Sequence, residues 1–290
     1  MRAYRIAYDG RPFYGFQRQP AVPTVEGALL SALDSLDVVE DPDETPPGYA
    51  AAGRTDRGVS AVAQTVALGG PDWLSPRALN GELPADVRAW AAADAPEGFH
   101  ATRDAAWRAY AYHLHAPGAD VDAARQLLAR LEGTHDFHNL TAVSDRSVDT
   151  TRTVLGTDVT RDGEFLVVRV RSEGFLHEMV RRIVTLLSWT LDVGESSGPD
   201  GDPAGPARDH LPDRDPPDVD RVLSAEELSG PEGIGPAPPE PLVLTGVGYP
   251  DLDFEVDERA RESLRDVFGT RRVEAAARAQ VMGTVLDGTD

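Results

Sequence analysis

Residues 50–61 read AAAGRTDRGVSA, with Asp56 between Arg54 and Arg57 and with Gly53 and Gly58 outside them. A run of small residues ending in glycine makes a tight exit from a strand into a loop. Glycine on both sides lets the backbone bend and lets a planar ligand come close. The flanking guanidiniums are expected to hold the carboxylate ionised, as a nucleophile or base must be. They are equally suited to gripping a phosphate. The plain alternative is a polar surface turn whose Arg–Asp pair contributes little.

Composition narrows the chemistry around this stretch. The chain has 290 residues, enough for two medium subdomains or one large one. Cysteine and lysine are both absent, so all 28 basic residues are arginine. Disulfides, thiolate metal sites, cysteine nucleophiles, Schiff bases and the P-loop lysine are thereby excluded. A carboxylate is among the few nucleophiles left. The apolar run Ile183–Leu191 is broken by Thr185, Ser188 and Thr190 and is too short to span a bilayer. The opening MRAYRIAY alternates like a strand and lacks a signal-peptide core, so a cytoplasmic location is expected.

The net charge of −21 counts against a nucleic-acid partner at first sight. An acidic, lysine-free, arginine-using chain also fits a protein of an extreme halophile, whose carboxylates keep its surface hydrated. At molar salt the Debye length falls to about 3 Å, and long-range steering of RNA is screened anyway. Recognition would then rest on close Arg–phosphate pairs, stacking and shape.

Upstream of the stretch, Tyr4, Ile6 and Tyr8 share one face of a strand. A loop rich in glycine, aromatics and arginine follows at 8–20, either a packed surface loop or an RNA contact. Thr24 is the expected N-cap of a helix with Val25, Leu29, Ala32, Leu33 and Leu36 on its core stripe. Residues 40–48 read as an acidic linker.

Downstream, residues 64–68 read as a strand, and Arg108, Tyr110 and Tyr112 alternate onto one face of another within 99–114. Asp120 caps a helix through Leu131, stopped by Gly133. His135, Asp136 and His138 carry metal-ligand residue types. A strand at 164–171 leads into GFLHEMVRRIVTLL (174–187), whose Met179, Val180, Ile183, Val184 and Leu187 recur at helical spacing. Glycine, proline and acids dominate from 194 to about 217, which reads as a loosely ordered insertion. A short helix at 218–229 and a strand within 237–249 follow. The last helix is expected to end near Gly269, with a further helix in the tail.

Several of these segments, in order, resemble the TruA family of tRNA pseudouridine synthases. GRTDRGVSA resembles its catalytic loop, and YDG…GFQRQP (8–20) its N-terminal motif, with Phe16 where tryptophan is common. SPRALNGELPAD (75–86), RAYAY (108–112), GTHDF (133–137) and FLHEMVR (175–181) are similar to further family segments. So is APPEPLVLTGVGY (237–249), although Glu240–Pro241 replaces the usual glycine.

The resemblance implies an α+β fold of two similar ferredoxin-like halves. They would form one large mixed β-sheet flanked by helices, with the active-site cleft between them. The halves would be 1–104, carrying the Asp56 loop, and 105–290, carrying the insertion. It implies isomerisation of uridine to pseudouridine in the tRNA anticodon stem-loop, at tRNA uridines 38, 39 and/or 40.

Asp56 would be the catalytic residue, and Arg54 would occupy the position the target base leaves. Tyr110 would stack on the base, Leu176 would bound it, and Arg181 would pair with Asp56. Arg11, Phe16, Gln17, Arg57 and Arg182 are the expected RNA contacts. A homodimer gripping tRNA is implied, with no metal, no cofactor, no nucleotide and no membrane. The family's GTHDF segment carries no metal, so none is expected at 135–138.

Three alternatives stay open: a nucleoside hydrolase or glycosidase, a non-catalytic tRNA-binding protein, and a synthase acting at another tRNA position.

Overall fold

The computed structural model describes residues 1–39, 41, 44–143, 145, 147–193, 215–228 and 233–288. Most of the insertion expected at 194–217 lies outside the described residues, as does part of the linker at 40–48.

Short alternating segments become strands, and capped apolar stripes become helices. The first half runs β1 (Arg2–Tyr8), α1 (Val25–Ser35), β2 (Ala50–Ala51), β3 (Ser60–Leu68), α2 (Pro76–Glu82) and β4 (Val87–Asp94). The Thr24 hydroxyl accepts from the Gly27 amide at 3.1 Å, and Ser75 caps α2 with Pro76 in its first turn. The second half runs β5 (Trp107–His115), α3 (Val121–Ala129), β6 (Gly133–Asp136) and a single 3-10 turn. It continues with β7 (Thr151–Asp162), β8 (Phe165–Ser172), α4 (Met179–Thr190), α5 (Val219–Val222) and β9 (Leu242–Gly248). Last come β10 (Glu255–Val256) and α6 (Glu258–Asp287).

All ten strands belong to one sheet, in the order β10-β4-β1-β3-β9-β5-β8-β7-β6, with β2 on the side of β3. Within the first half the order is β4-β1-β3-β2 and within the second β9-β5-β8-β7, every pair antiparallel. Setting aside the edge strand β6 and the single turn α5, both are βαββαβ units with the same strand order, the ferredoxin-like pattern, although the sequence shows no internal repeat. The seam between them is parallel, Ser60 and Ala61 of β3 facing Val243 and Leu244 of β9. The sheet is therefore mixed, and the seam lies beside the Asp56 loop.

Each half has its own apolar core. In the first, Tyr4, Ile6 and Tyr8 lie under Leu29 and Leu33 of α1. In the second, α4 supplies Ile183, Val184, Leu186 and Leu187, all fully buried. Each such side chain contributes about 1.5–3 kcal/mol of apolar transfer free energy. Tyr112 is buried in this second core.

The structure differs from expectation in several places. The sequence reading assigned no strand at 133–136, 151–162 or 255–256, which form β6, β7 and β10. VRAWAAAD (87–94) forms β4, a strand the sequence reading did not assign. The helix expected at 218–229 is the single turn Val219–Val222. The last helix does not stop at Gly269 but runs unbroken to Asp287. One mid-helix glycine costs only about 1 kcal/mol, which the following Arg- and Ala-rich run tolerates. Finally, Leu252 and Phe254 join the first core and α6 packs on β4, so the chain's end, expected with the second half, returns to the first. Among the described residues no helix is long and apolar enough to cross a membrane.

Candidate active site

The Asp56 loop is fastened at its base. Gln64 donates to the Gly53 carbonyl at 2.8 Å, and Arg108 donates through Nε and Nη2 to the Ala52 carbonyl at 3.0 and 2.8 Å. The buried Tyr8 and Thr55 hydroxyls are hydrogen-bonded at 2.7 Å, and the Phe16 amide donates to the Thr55 carbonyl at 3.0 Å. Gly58 has φ +83°, a left-handed turn that favours glycine. The neighbouring 8–20 loop comes so close that a Cβ on Gly10 would lie 2.1 Å from the Val59 carbonyl oxygen. Gly53 has no such constraint, since a Cβ there would meet open space.

These restraints present Asp56 at a cleft of about 590 Å³ that runs across the seam between the halves. Arg54, Tyr110, Leu176 and Arg181 line the same cleft. Five residues separated by as many as 127 positions thus converge.

Arg181 Nη1 donates to Asp56 Oδ2 at 3.2 Å and also lies 3.4 Å from Glu178 Oε1. Its Nε donates to the Ala237 carbonyl at 2.6 Å. The Arg181 side chain is only 12% exposed, against 24% for Asp56, so their attraction is screened less than a surface pair's.

Tyr110 is half-buried and lies where the β5–β9 register shifts, between Ala109 and Tyr110. Such a bulge re-aims a side chain beside a site. The Phe175 ring meets Tyr110 edge-on, with centroids 5.1 Å apart. Burial pushes the Tyr110 phenol up to about 12, with Arg108 opposing and the Asp56 charge adding. The phenol stays neutral at ordinary pH and presents a ring and a donor rather than a second anion.

The arginines beside Asp56 in sequence are not its partners. Arg57 is exposed and stacks over the Tyr14 ring at 4.2 Å. Arg54 is exposed at the cleft and makes no hydrogen bond or ion pair among the described residues. The expectation that flanking guanidiniums hold the carboxylate is thus corrected, because among the described residues neither forms an ion pair with it. The distant Arg181 and the unanticipated His177 take that place, with His177 Nε2 3.3 Å from Asp56 Oδ1.

His177 and Glu178 come from a backbone turn that leads into α4. Glu178 adopts φ +62° and ψ 7°, left-handed values that cost a non-glycine residue about 1–2 kcal/mol. The sequence signal was present, a titratable pair between Leu176 and Met179, but only the turn brings His177 to Asp56. Asp56, His177 and Glu178 have ligand atoms within 4.8 Å of one another. Arg181 reaches both carboxylates and already supplies the positive charge a metal would bring there.

The expected RNA contacts divide. Gln17 is exposed and available. Phe16 is 1% exposed and belongs to the first core, beside Tyr8, so it cannot reach RNA. Arg182 is also turned inward, donating to the Ile234 carbonyl and pairing with Glu178 at 2.9 Å. Arg11 is exposed but forms a forked pair with Asp9. In the GTHDF segment, His135 Nε2 is spent on the Glu132 carbonyl at 2.8 Å. His138 lies between Asp136 and the Glu226 carbonyl.

A family profile described as tRNA pseudouridine synthase matches residues 127–250. The chain is 51% identical to tRNA pseudouridine synthase A of Haloarcula marismortui, over 99% of this chain and 100% of that one. It is 52% identical to tRNA pseudouridine synthase A of Natronomonas pharaonis, over 98% of each chain. With tRNA pseudouridine synthase A of Methanothrix thermoacetophila it shares 38% identity, over 98% of this chain and 96% of that one.

Proposed function

The chain belongs to the tRNA pseudouridine synthase A (TruA) family, and from that premise we propose that it isomerises uridine on the 3′ side of the tRNA anticodon arm, with Asp56 as the essential carboxylate. The observation that carries the residue assignment is the Asp56–Arg181 pair at the cleft. A partly exposed carboxylate faces solvent there, with a buried guanidinium behind it.

The reaction breaks the N1–C1′ bond, turns the detached uracil and joins C5 to C1′. The C5 proton leaves and N1 gains one, so atoms and electrons balance without a redox partner or cofactor. The target base must first leave its stack, at a cost of a few kcal/mol that is least in a loop or at a stem end. Arg54, uncommitted at the rim, fills the vacated position. Tyr110 offers its ring to the uracil, and Leu176, only 6% exposed, bounds it. Asp56 either attacks C1′ or removes a sugar proton, and both routes need an ionised carboxylate facing the cleft. Detached uracil must stay bound while it rotates, which suits a pocket with apolar walls and few polar contacts.

A nucleoside hydrolase would pair the aspartate with a second carboxylate as its partner. Glu178, the nearby candidate, is instead tied to Arg181 and Arg182. The acidic, lysine-free composition suits work in concentrated salt. We also infer a homodimer. Val273, Val281, Met282 and Val285 stand exposed along α6, and two such apolar surfaces can cover each other about a two-fold axis. Sedimentation of the full chain at high salt tests this, and a monomer overturns it.

The test of the reaction is pseudouridine mapping on an unmodified tRNA transcript at high salt, with wild type and Asp56→Ala. Conversion in the anticodon arm by wild type alone is expected. Conversion at another position corrects the specificity. Tight binding without conversion by either protein favours the binding-protein alternative.

A further inference from the structure

Asp56 is held from two sides, and the reaction as outlined uses only one holder. Arg181 grips Oδ2 from the core. On the opposite, solvent side, His177 Nε2 lies 3.3 Å from Oδ1, with its side chain 59% exposed. The backbone is arranged to keep it there. The His177 carbonyl accepts from the Ala142 amide and from the Thr141 hydroxyl, both at 3.2 Å. The next residue, Glu178, takes the left-handed conformation, and its carboxylate is fastened to Arg181 and Arg182. A strained backbone position persists only where its surroundings over-determine it, and such positions gather at functional sites.

Resting on the reading of Asp56 as the essential carboxylate, we infer that His177 is a positioning residue for it. Its Nε2 stands against Oδ1 at 3.3 Å while Arg181 bonds Oδ2, which sets the plane of the carboxylate toward the cleft. A neutral imidazole holding its proton on the other nitrogen would turn a lone pair toward Oδ1. The carboxylate would then be tethered at one oxygen and free to rotate. The other groups lining this cleft that carry or could carry charge are Glu178, Arg181, Arg54, Arg108, Arg152 and Tyr110. Among the described residues, the ion pair His177 makes is with Asp56.

Two variants separate positioning from mere packing. His177→Ala removes the hold, whereas His177→Gln supplies an amide N–H that donates without titrating. His177→Ala is expected to lower kcat about 10- to 30-fold with KM for tRNA within about twofold. His177→Gln should recover kcat to within about threefold of wild type.

A second readout needs no turnover. In the full chain, the imidazole NMR signal that vanishes in His177→Gln should move in Asp56→Asn, because the side chain against Nε2 changes from a carboxylate to an amide. Wild-type kcat in His177→Ala, a loss confined to KM, or an imidazole signal unmoved by Asp56→Asn would each overturn the inference. A wild type that forms no pseudouridine removes the reaction instead, and the imidazole signal alone then decides whether His177 holds Asp56.

Discussion

Asp9 and Asp56 look alike in the sequence, each with an arginine within two positions and a glycine close by. In the structure they have opposite fates. Asp9 accepts from the Arg11 amide and Nε on Oδ1, at 3.1 and 2.9 Å. On Oδ2 it accepts from Arg11 Nη2 at 2.6 Å and from Arg271 Nη1 at 3.5 Å. Arg271 comes from α6 and also pairs with Asp86. A carboxylate has about four lone-pair sites, and at Asp9 each meets a donor. Its side chain is 10% exposed. Asp56 has one partner on each oxygen and is 24% exposed, so part of its acceptor capacity faces the cleft. A saturated, sealed carboxylate fastens elements together. One held at two points and open on a third side is free to react.

The largest effect should come from making the same change at both. Asp56→Asn is expected to lower turnover by about 10⁴-fold or more with the fold intact. Asp9→Asn should keep activity within a few fold and cost about 2 kcal/mol of stability by weakening charged hydrogen bonds. Acid adds a second axis. Burial alone would raise the Asp9 pKa, but the Arg11 hydrogen bonds and the Arg11 and Arg271 charges outweigh it and hold it below the usual carboxylate range. A depressed folded-state pKa contributes stability above the unfolded value of about 4, and that contribution is lost as pH falls through the folded value. Wild type should therefore lose stability below about pH 4 more steeply than Asp9→Asn. Denaturant melts across pH, alongside single-turnover assays, check both halves of the comparison. Equal activity losses at the two sites would break it.

A smaller effect should separate the distant arginines. Lysine at 181 can reach one carboxylate as a point charge, but it cannot also serve Glu178 and the Ala237 carbonyl as the guanidinium does. Arg181→Lys is expected to lower kcat about 10- to 100-fold. Arg271→Lys should leave kcat within about twofold and cost about 1 kcal/mol in a thermal melt. A kcat loss at 271 as large as that at 181 would mean that the Asp9 cluster does more than anchor α6.

Much of the site was readable because its motifs are local. The Asp56 loop, the Tyr110 strand and the Leu176–Arg181 helix start were each visible as short strings, and the structure brings them to one cleft. What could not be read was which neighbour faces which. Arg57 is one residue from Asp56 and turns to Tyr14, whereas Arg181 is 125 positions away and bonds it. Phe16 and Arg182 have residue types suited to RNA contact, yet both are turned inward. His177 carries no periodic signal, since its direction depends on the left-handed backbone at Glu178. The duplicated βαββαβ order was equally hidden, because apolar alternation constrains residue class and not identity.

The sequence by itself determined the elements and the chemistry on offer. Periodicity marked most helices and about half of the strands, hydroxyl and carboxylate caps began the helices, and the absence of cysteine and lysine left carboxylates and arginines to act. Tertiary structure alone decided which of two similar aspartates was sealed and which was left open. The partners of Asp56 come from a segment that meets it only after the two halves join along β3 and β9, and the seal over Asp9 is completed by Arg271 of α6; no local stretch of sequence encodes either meeting.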